Sequence, residues 1–270
     1  MVLFAALSVI AVVARPVVNL HAGPDPGRDV VSQAIYGANV HTLERQPGWL
    51  KIRTADDYQG WAPADSLLPV ERPYGSSECL VQVESLFASL YREPDVRKQA
   101  PLLTVPYETR LEVIRQQDER WIQVRLPDDR PAWVQRGDVT FDPRPLGIEE
   151  SIALAKRFLG LPYFWGGASS FGFDCSGFTQ MLYRRRGTGI PRDTGPQAAW
   201  EGFAPVERTE LRPGDLIFFG DEPPKISHTG MYIGEGRFVH ASTHERPVVQ
   251  IGEVSDPHWT VRFACARRLK

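Results

Sequence analysis

The first half of the chain consists of short segments in which hydrophobic and polar residues alternate. Pro, Gly and Asp residues separate these segments, a pattern that predicts β-strands joined by turns. The pattern occurs twice, because Leu20–Asp25 matches Leu90–Asp95 at an offset of 70 residues and Trp49–Arg53 matches Trp121–Arg125 at an offset of 72. A solenoid needs at least three repeats, so the two copies predict two small β-barrels.

The chain opens with residues 1–14, which are apolar except for Ser8. A secretory signal carries positive charge before its apolar stretch, but the first basic residue here is Arg15. Carrying the strand predicted at Cys79–Val83 back by the offset of 70 places a core strand at Val9–Val13. We therefore expect that this run is not removed. A cytoplasmic location is favoured, and a secreted or periplasmic one stays open.

The pattern changes after the second copy. Residues 1–72 and 76–143 are the two predicted modules, and the prolines and glycine over 141–147 disfavour regular structure. In the third domain, residues 147–270, helical spacing predicts a helix over 148–160. Its buried face is predicted to carry Ile148, Ile152, Ala155 and Leu159.

A second helix is predicted to start at Cys175, and a loop and turn are predicted over 191–200. Five strands are predicted after that loop: Asp215–Gly220, Thr229–Gly234, Arg237–Ser242, Val248–Ile251 and Val261–Leu269. Helices followed by an antiparallel sheet predict an α+β domain.

Composition and charge exclude some classes of function. The net charge is −2 at pH 7, which argues against nucleic acid as the main partner, since phosphate binding needs clustered positive charge. The cysteines Cys79, Cys175 and Cys265 show neither a disulfide framework nor metal-ligand spacing. Cys79 and Cys265 fall on predicted strands, where we expect both to be buried. No metal or organic cofactor is implied.

Cys175 stands where a predicted loop meets a predicted helix. Free backbone N–H groups and the helix dipole at that position favour thiolate over thiol, and the thiolate is the nucleophile. His228 and His240 lie on two strands joined by a turn centred near Glu235, which gives them equal parity and the same face of the hairpin. A bulge in the turn would change that parity.

These residues predict a cysteine peptidase. Cys175 and His228 are expected to form a thiolate–imidazolium pair, in which His228 acts as general acid and base. His240 is expected to orient His228 through a hydrogen bond between the rings. The backbone N–H of Cys175 and the hydroxyl of Tyr163 are the predicted oxyanion donors.

The same residues resemble the NlpC/P60 family of papain-like cysteine peptidases over about residues 147–270. The resemblance is carried by these segments: Pro162–Gly167, Phe173–Gly177, Arg212–Leu216, His228–Gly230 and His240. It implies a papain-like α+β fold and hydrolysis of the γ-D-glutamyl bond to diaminopimelate or lysine in murein peptides. It also implies Cys175 as nucleophile, His228 as base and His240 as the third member.

The two modules resemble bacterial SH3-like (SH3b) modules, which bind cell-wall peptides or glycans. The alternative is that their tryptophans are barrel core and that the modules are spacers. The combination with the third domain resembles the γ-D-glutamyl-L-diamino acid endopeptidases (dipeptidyl-peptidase VI type), which act on murein peptides with a free N-terminal L-alanine.

That resemblance implies a set of substrate-binding residues. Asp174 and Ser176 would recognise the ammonium group of L-alanine, together with Thr194 where a serine is usual and Tyr58 from the first module. Trp165 is also assigned to the substrate site. A buried carboxylate is costly unless it is paired, so Asp174 would favour a free ammonium. The alternative for Asp174 is that it only caps the Cys175 helix.

One position departs from the subgroup. An acidic residue is usual in the first module where this chain has Gly23, so recognition of the amine would rest on Asp174 alone or on a neighbour such as Asp25. The expected function is recycling of murein tripeptides or tetrapeptides. Three alternatives stay open: an extracellular hydrolase of intact murein, a non-catalytic wall-binding protein, and an acyltransferase or amidase on the same fold. The oligomeric state is not predicted.

Overall fold

The computed structural model describes residues 10–220 and 225–270, and the chain divides into two compact units, Met1–Pro143 and Arg144–Lys270. The strand expected at Val9–Val13 is present as β1 (Ile10–Val13), while Val9 and the rest of the apolar start lie outside the described residues. None of the described helices is both long enough and apolar enough to cross a membrane.

In the first unit, the first repeat copy forms one antiparallel sheet in the order β3-β2-β6-β5-β4-β1-β7. Its remaining strands are β2 (Val17–His21), β3 (Val30–Ile35), β4 (Asn39–Gln46), β5 (Trp49–Arg53), β6 (Gln59–Pro63) and β7 (Leu67–Pro69). Alternate residues of these strands point inward, and Val13, Leu20 and Ile52 are fully buried in the resulting core.

The second copy forms a five-stranded sheet, β13-β12-β11-β8-β14, and a two-stranded one, β10-β9. Its strands are β8 (Leu80–Val83), β9 (Phe87–Leu90), β10 (Leu103–Pro106), β11 (Arg110–Gln116), β12 (Trp121–Arg125), β13 (Pro131–Gln135) and β14 (Val139–Thr140). The pairing repeats that of the first copy, because β8 pairs with β11 and β14 as β1 pairs with β4 and β7. The repeat read from the sequence is therefore confirmed.

Most of the tryptophans that recur at the same spacing in the two copies have buried side chains. Trp61, Trp121 and Trp133 are at most 8% exposed, while Trp49 is half-buried with its ring edge against His21. Burial of this kind supports a packing role for the first three. A packing role is the alternative to ligand binding that was stated above for these tryptophans.

The second unit contains a six-stranded antiparallel sheet in the order β17-β22-β18-β19-β20-β21, and a small β15-β16 pair. The elements are α1 (Ile148–Arg157), β15 (Ala168–Ser169), β16 (Gly172–Phe173), α2 (Cys175–Arg185), α3 (Thr194–Ala199), β17 (Phe203–Val206), β18 (Leu216–Phe219), β19 (His228–Gly234), β20 (Arg237–Ser242), β21 (Val248–Glu253), α4 (Pro257–Thr260) and β22 (Phe263–Leu269). Helix α2 packs against β19 and β20, the two strands that contain His228 and His240.

The predicted buried face of α1 is wrong at both ends. Ile148 and Leu159 are each 42% exposed, while Ser151, Leu154 and Ala155 are buried. The helix ends at Arg157, before Leu159. Ser151 can be buried because its hydroxyl donates to the carbonyl of Gly147 at 2.8 Å, which removes the cost of burying a polar group.

Two other expectations need correction. The segment predicted as loop and turn over 191–200 contains the short helix α3. Cys79 is exposed and precedes β8, and Cys265 is only half-buried. Cys79 stands just outside the strand, where alternation no longer determines burial, and Cys265 lies on β22, whose residues are mostly half-buried.

Candidate active site

The N-terminus of α2 places Cys175 in a network of hydrogen-bond donors. Asp174 is the N-cap residue, and its carboxylate accepts a hydrogen bond from the backbone N–H of Gly177 at 2.7 Å. The Cys175 side chain is buried at 7% exposure. Its sulfur receives hydrogen bonds from the backbone N–H groups of Ser176 and Thr229, and it lies 3.7 Å from the hydroxyl of Thr194.

A glycine contact brings the loop before β15 against this helix. A Cβ added to Gly177 would lie 2.1 Å from the carbonyl oxygen of Gly167, a distance that no side chain tolerates. The same carbonyl accepts a hydrogen bond from the backbone N–H of Asp174 at 3.0 Å. The loop therefore approaches the nucleophile only because residue 177 has no side chain.

The two predicted histidines meet on the facing hairpin. Nε2 of His228 and Nδ1 of His240 are 2.8 Å apart, and the two rings are nearly perpendicular. His240 is buried at 1% exposure, and His228 is half-buried at the start of β19. This arrangement leaves Nδ1 of His228 for a second partner, and Thr229, the next residue, donates its backbone N–H to the sulfur of Cys175.

The physical reason why His228 and His240 lie on the same face of the hairpin differs from the predicted one. The turn between β19 and β20 is made of two residues, Glu235 and Gly236, both with positive φ, which alone would put His228 and His240 on opposite faces. A bulge near Ile233 shifts the register by one residue, from Gly234↔Arg237 to Tyr232↔Phe238. The bulge, which was expected to disrupt the equal parity, therefore produces it.

The aromatic ring of Trp259 packs against both histidines. The ring of Trp259 stacks on His228 with a centroid distance of 4.9 Å and an interplanar angle of 25°, and it meets His240 edge-on at 5.0 Å. Trp259 is 4% exposed and belongs to the core cluster that includes Phe219 and Phe238. These contacts fix the ring plane of His228.

Burial determines the protonation of the nucleophile and the base. It raises the pKa of the Cys175 thiol to about 11, with the negative charge of Asp174 as a second cause. It lowers the pKa of His228 to about 3 and that of His240 well below its usual range, helped by the neighbouring His244 and His258. Both directions disfavour the expected thiolate–imidazolium pair, because the effect of burial is larger than that of the donors at the helix N-terminus.

Asp174 is already paired, contrary to the argument that left it available for an ammonium group. Arg192 donates to both of its carboxylate oxygens, at 2.7 and 3.0 Å, and both residues are buried. Ser176 donates to Asp174 at 3.3 Å and accepts from Arg192 at 3.0 Å. The backbone N–H of Gly166 adds another donor at 3.1 Å. Asp174 acts as a helix cap inside a neutral ion pair, and its binding of substrate stays a prediction.

The structure places the other predicted residues as follows. Tyr163 is half-buried, and burial raises its pKa, with the thiolate form of Cys175 and the carboxylate of Asp174 as further causes. Trp165, in the same loop, is 68% exposed. Tyr58 lies in the turn between β5 and β6 of the first unit, where its carbonyl accepts a hydrogen bond from Thr54 at 3.0 Å. The substrate-binding roles of these residues stay predictions.

Three residues near the site were not predicted. Arg192 pairs with Asp174, and Gln197 donates to the carbonyls of Ser176 and Pro191 at 3.0 and 2.8 Å and accepts from Thr179. The rule that a buried carboxylate needs a partner could have identified Arg192. Trp259 is the third. A single tryptophan near the end of the chain carries no pattern that indicates this role.

Three parts of the chain match models of known families. Residues 160–268 match the model of the NlpC/P60 family. Residues 20–67 match that of the bacterial dipeptidyl-peptidase Sh3 domain, and residues 83–141 match that of the YKFC SH3b2 domain. The matches follow the order of the two predicted modules and the predicted catalytic domain. The boundaries drawn from the sequence stay predictions.

Individual proteins are similar over most of the chain. Gamma-D-glutamyl-L-lysine dipeptidyl-peptidase from Bacillus cereus is 37% identical over 254 residues, which cover 88% of this chain and 74% of that protein. Dipeptidyl-peptidase 6 from Lysinibacillus sphaericus is 28% identical over 246 residues, 86% of this chain and 87% of the relative. A crystal structure of an NlpC/P60 family protein from Bacillus cereus matches with a TM-score of 0.86 at 30% identity, covering 96% of this chain and 99% of that one. The predicted fold is confirmed.

Proposed function

Because the chain belongs to the NlpC/P60 family of cysteine peptidases, we propose that it hydrolyses the γ-D-glutamyl bond to a diamino acid in murein peptides that carry a free N-terminal L-alanine. The observation that carries this proposal is the hydrogen bond from the backbone N–H of Thr229 to the sulfur of Cys175. It brings the start of α2 next to the strand that begins with His228, whose ring is hydrogen-bonded to His240. The names of the relatives support the choice of bond, since they describe dipeptidyl-peptidases of γ-D-glutamyl-L-lysine peptides.

In the proposed first step, His228 takes the proton of the Cys175 thiol as the sulfur attacks the γ-carbonyl carbon of D-glutamate. Because burial disfavours both charged forms, we place this proton transfer in the same step as the attack. His240 holds the ring of His228 through its 2.8 Å hydrogen bond. The C–N bond then breaks, and His228 gives the proton to the leaving amine of the diamino acid.

The second step releases the acyl group. Water loses a proton to His228 and attacks the thioester carbonyl carbon. The C–S bond then breaks, the acyl group leaves as a carboxylic acid, and His228 returns the proton to the sulfur of Cys175. In both steps the carbonyl oxygen becomes negatively charged. The backbone N–H of Cys175, which has no partner within its own helix at this position, and the hydroxyl of Tyr163 are the proposed donors to that oxygen.

The proposal places the enzyme in recycling, on free peptides in the cytoplasm. A reaction that frees L-Ala-γ-D-Glu from a tripeptide needs the N-terminus of the substrate to be unacylated. Intact murein has this amine in amide linkage. Discrimination against an acetylated amine therefore separates the recycling function from hydrolysis of whole murein.

The test is mass spectrometry of the products from synthetic L-Ala-γ-D-Glu-L-Lys and its diaminopimelate analogue, each with a free and an acetylated N-terminus. We expect L-Ala-γ-D-Glu and the free diamino acid from the unacetylated peptides. Acetylation should suppress turnover. The ratio of the rates for the lysine and diaminopimelate peptides decides the residue at the third position.

Two results would contradict the proposal. Cleavage of whole sacculi without cleavage of the free tripeptide would assign the chain to wall hydrolysis. Turnover that persists in purified Cys175→Ala would show that Cys175 is not the nucleophile. An added acceptor amine should leave the products unchanged, because an acyltransferase would form a new amide instead.

A further inference from the structure

A cavity of about 420 Å³ lies on the side of the histidine pair where β20, β21 and α4 meet. His240 is in its wall, together with residues of the β20–β21 turn and of the loop that enters α4. Three of the lining side chains are potential metal ligands: His244, Glu245 and Asp256. The mechanism proposed above uses none of these three.

The ligand atoms of these side chains are already close together. One nitrogen of His244 and one carboxylate oxygen each from Glu245 and Asp256 all lie within 4.8 Å of one another. His244 and Asp256 are half-buried, and Glu245 is exposed. Within the described residues, neither carboxylate takes part in an ion pair.

The backbone around the ligands is held in place from both sides. In the turn after β20, the backbone N–H of His244 donates to the hydroxyl of Ser242 at 3.0 Å, and its carbonyl accepts from Gln250 at 2.6 Å. Glu245 has a left-handed backbone with φ of 60°, an uncommon conformation for a residue with a side chain. Asp256 uses Oδ1 to accept from the backbone N–H of His258 at 2.7 Å, which leaves Oδ2 for a ligand.

The ring of His244 is also oriented. It stacks face to face on His258 with a centroid distance of 3.7 Å and meets the edge of Trp259 at 5.4 Å. An imidazole whose plane is fixed in this way presents its nitrogens in a defined direction. Metal-binding histidines also have a fixed ring orientation, which their partners normally set through hydrogen bonds.

We propose that His244, Glu245 and Asp256 form a binding site for a divalent transition metal of the Zn²⁺ type. One imidazole and two carboxylates suit that class of ion, with bond lengths of about 2.0–2.2 Å and an open position for water. The exposed side chain of Glu245 can adjust its position to reach such bond lengths.

A metal ion at this site would also affect catalysis, and this consequence rests on the proposed function. Asp256 is the N-cap residue of α4, and α4 carries Trp259, which stacks on the proposed base, His228. A bound ion would therefore tie the β20–β21 turn to the helix that orients this ring. Binding itself does not depend on the catalytic role of His228, so the two proposals fail separately.

The test is a calorimetric titration with ZnCl₂ at pH 7.5, in full-length protein that carries Cys175→Ala. This background removes the buried thiol, which is the most obvious competing zinc ligand. Added His244→Ala or Asp256→Asn should weaken Zn²⁺ binding by at least about tenfold, the loss that even an outer partner of a metal ligand typically causes. Zn²⁺ should also raise the thermal midpoint of the parent protein and not that of these variants.

Two matched controls accompany the variants. Glu253 lines the same cavity but does not belong to the three ligands, so Glu253→Gln should keep the affinity. His41 is an exposed histidine of the first unit, and His41→Ala should also keep it. Equal Zn²⁺ affinity in the parent, His244→Ala and Asp256→Asn proteins would overturn the proposal, and so would a parent protein that binds no Zn²⁺.

Discussion

Two opposing electrostatic effects act on Cys175. Backbone N–H groups at the start of α2 and the hydroxyl of Thr194 stabilise the thiolate, while burial and the carboxylate of Asp174 destabilise it. Burial is the largest of these effects, since the pKa rises from an ordinary value of 9.0 to about 11. A residue at a helix N-terminus is therefore not automatically ionised. How deeply its side chain is buried also determines whether it ionises.

This state can be measured by alkylation of Cys175 with iodoacetamide. Because the thiolate reacts and its fraction grows tenfold per pH unit below the pKa, the rate should increase steadily from pH 5 to pH 9. Subtracting the rate of Cys175→Ala removes the contribution of the exposed Cys79. A rate that is already level between pH 5 and pH 7 would show a resting ion pair and contradict the prediction.

The Arg192–Asp174 pair is the second feature at the scale of single residues. Removing Arg192 leaves a buried carboxylate without its cation, which typically costs about 3–5 kcal/mol. Arg192→Ala should therefore lower the free energy of unfolding by that order, measured by denaturant titration. Combining it with Asp174→Asn should recover part of the loss.

The matched control for this prediction is Arg97→Ala, because Arg97 pairs with Asp95 at the surface of the first unit. Exposed pairs contribute about 0–1 kcal/mol. If Arg192→Ala costs no more than Arg97→Ala, the buried ion pair does not stabilise the domain as we infer.

At the scale of secondary-structure elements, α2 and the loop before β15 approach each other closely beside Cys175, because Gly177 has no side chain. Gly177→Ala would place a methyl group 2.1 Å from the carbonyl of Gly167. Relief requires a backbone shift of the kind that costs about 1–3 kcal/mol in a packed interior. We expect a lower unfolding midpoint and reduced turnover. Gly195→Ala in α3 is the control, because its Cβ would meet nothing within 4 Å.

Helix α4 acts on the site through one side chain. Trp259→Leu removes the ring that stacks on His228, so we expect kcat to fall by about tenfold to a hundredfold, the range for a misplaced catalytic group, with KM nearly unchanged. Trp259→Phe keeps an aromatic ring and should retain more activity. A loss confined to KM would indicate that Trp259 contacts substrate and does not position His228.

At the scale of the whole molecule, burial of histidines ties stability to pH. The pKa of His228 is lowered to about 3 and that of His240 well below its usual range. As the pH falls below about 6.5, the unfolded chain takes up these protons and the folded chain does not. Stability is therefore fully present above that pH and is lost below it, by about 1.4 kcal/mol per pH unit for each such histidine.

The measurement is the free energy of unfolding between pH 7 and pH 4. His240→Asn should reduce the slope over this range. His41→Asn changes an exposed histidine of the first unit and should leave the slope as it is. Equal slopes in the parent and His240→Asn proteins would mean that carboxylates alone cause the acid sensitivity.

The sequence alone determined the repeat and the alternating strand pattern of both copies. In the second unit it determined two helices followed by the main strands of the sheet, and it singled out Cys175, His228 and His240. These features depend on the periodicity and residue types along a short stretch of chain. The two copies, for example, align without knowledge of any contact. The sequence also indicated the substrate class, through its resemblance to a family.

Only the tertiary structure decided which partner neutralises Asp174, how a bulge brings His228 and His240 to one face, and in which direction burial shifts the pKa of the nucleophile. Arg192 is 18 residues from Asp174 in sequence, and Trp259 is 31 residues beyond His228. Such contacts, and the burial that shifts each pKa, depend on how all the elements pack together. A local pattern indicates which face of an element is buried, but it does not determine how strongly burial shifts the pKa of a particular side chain.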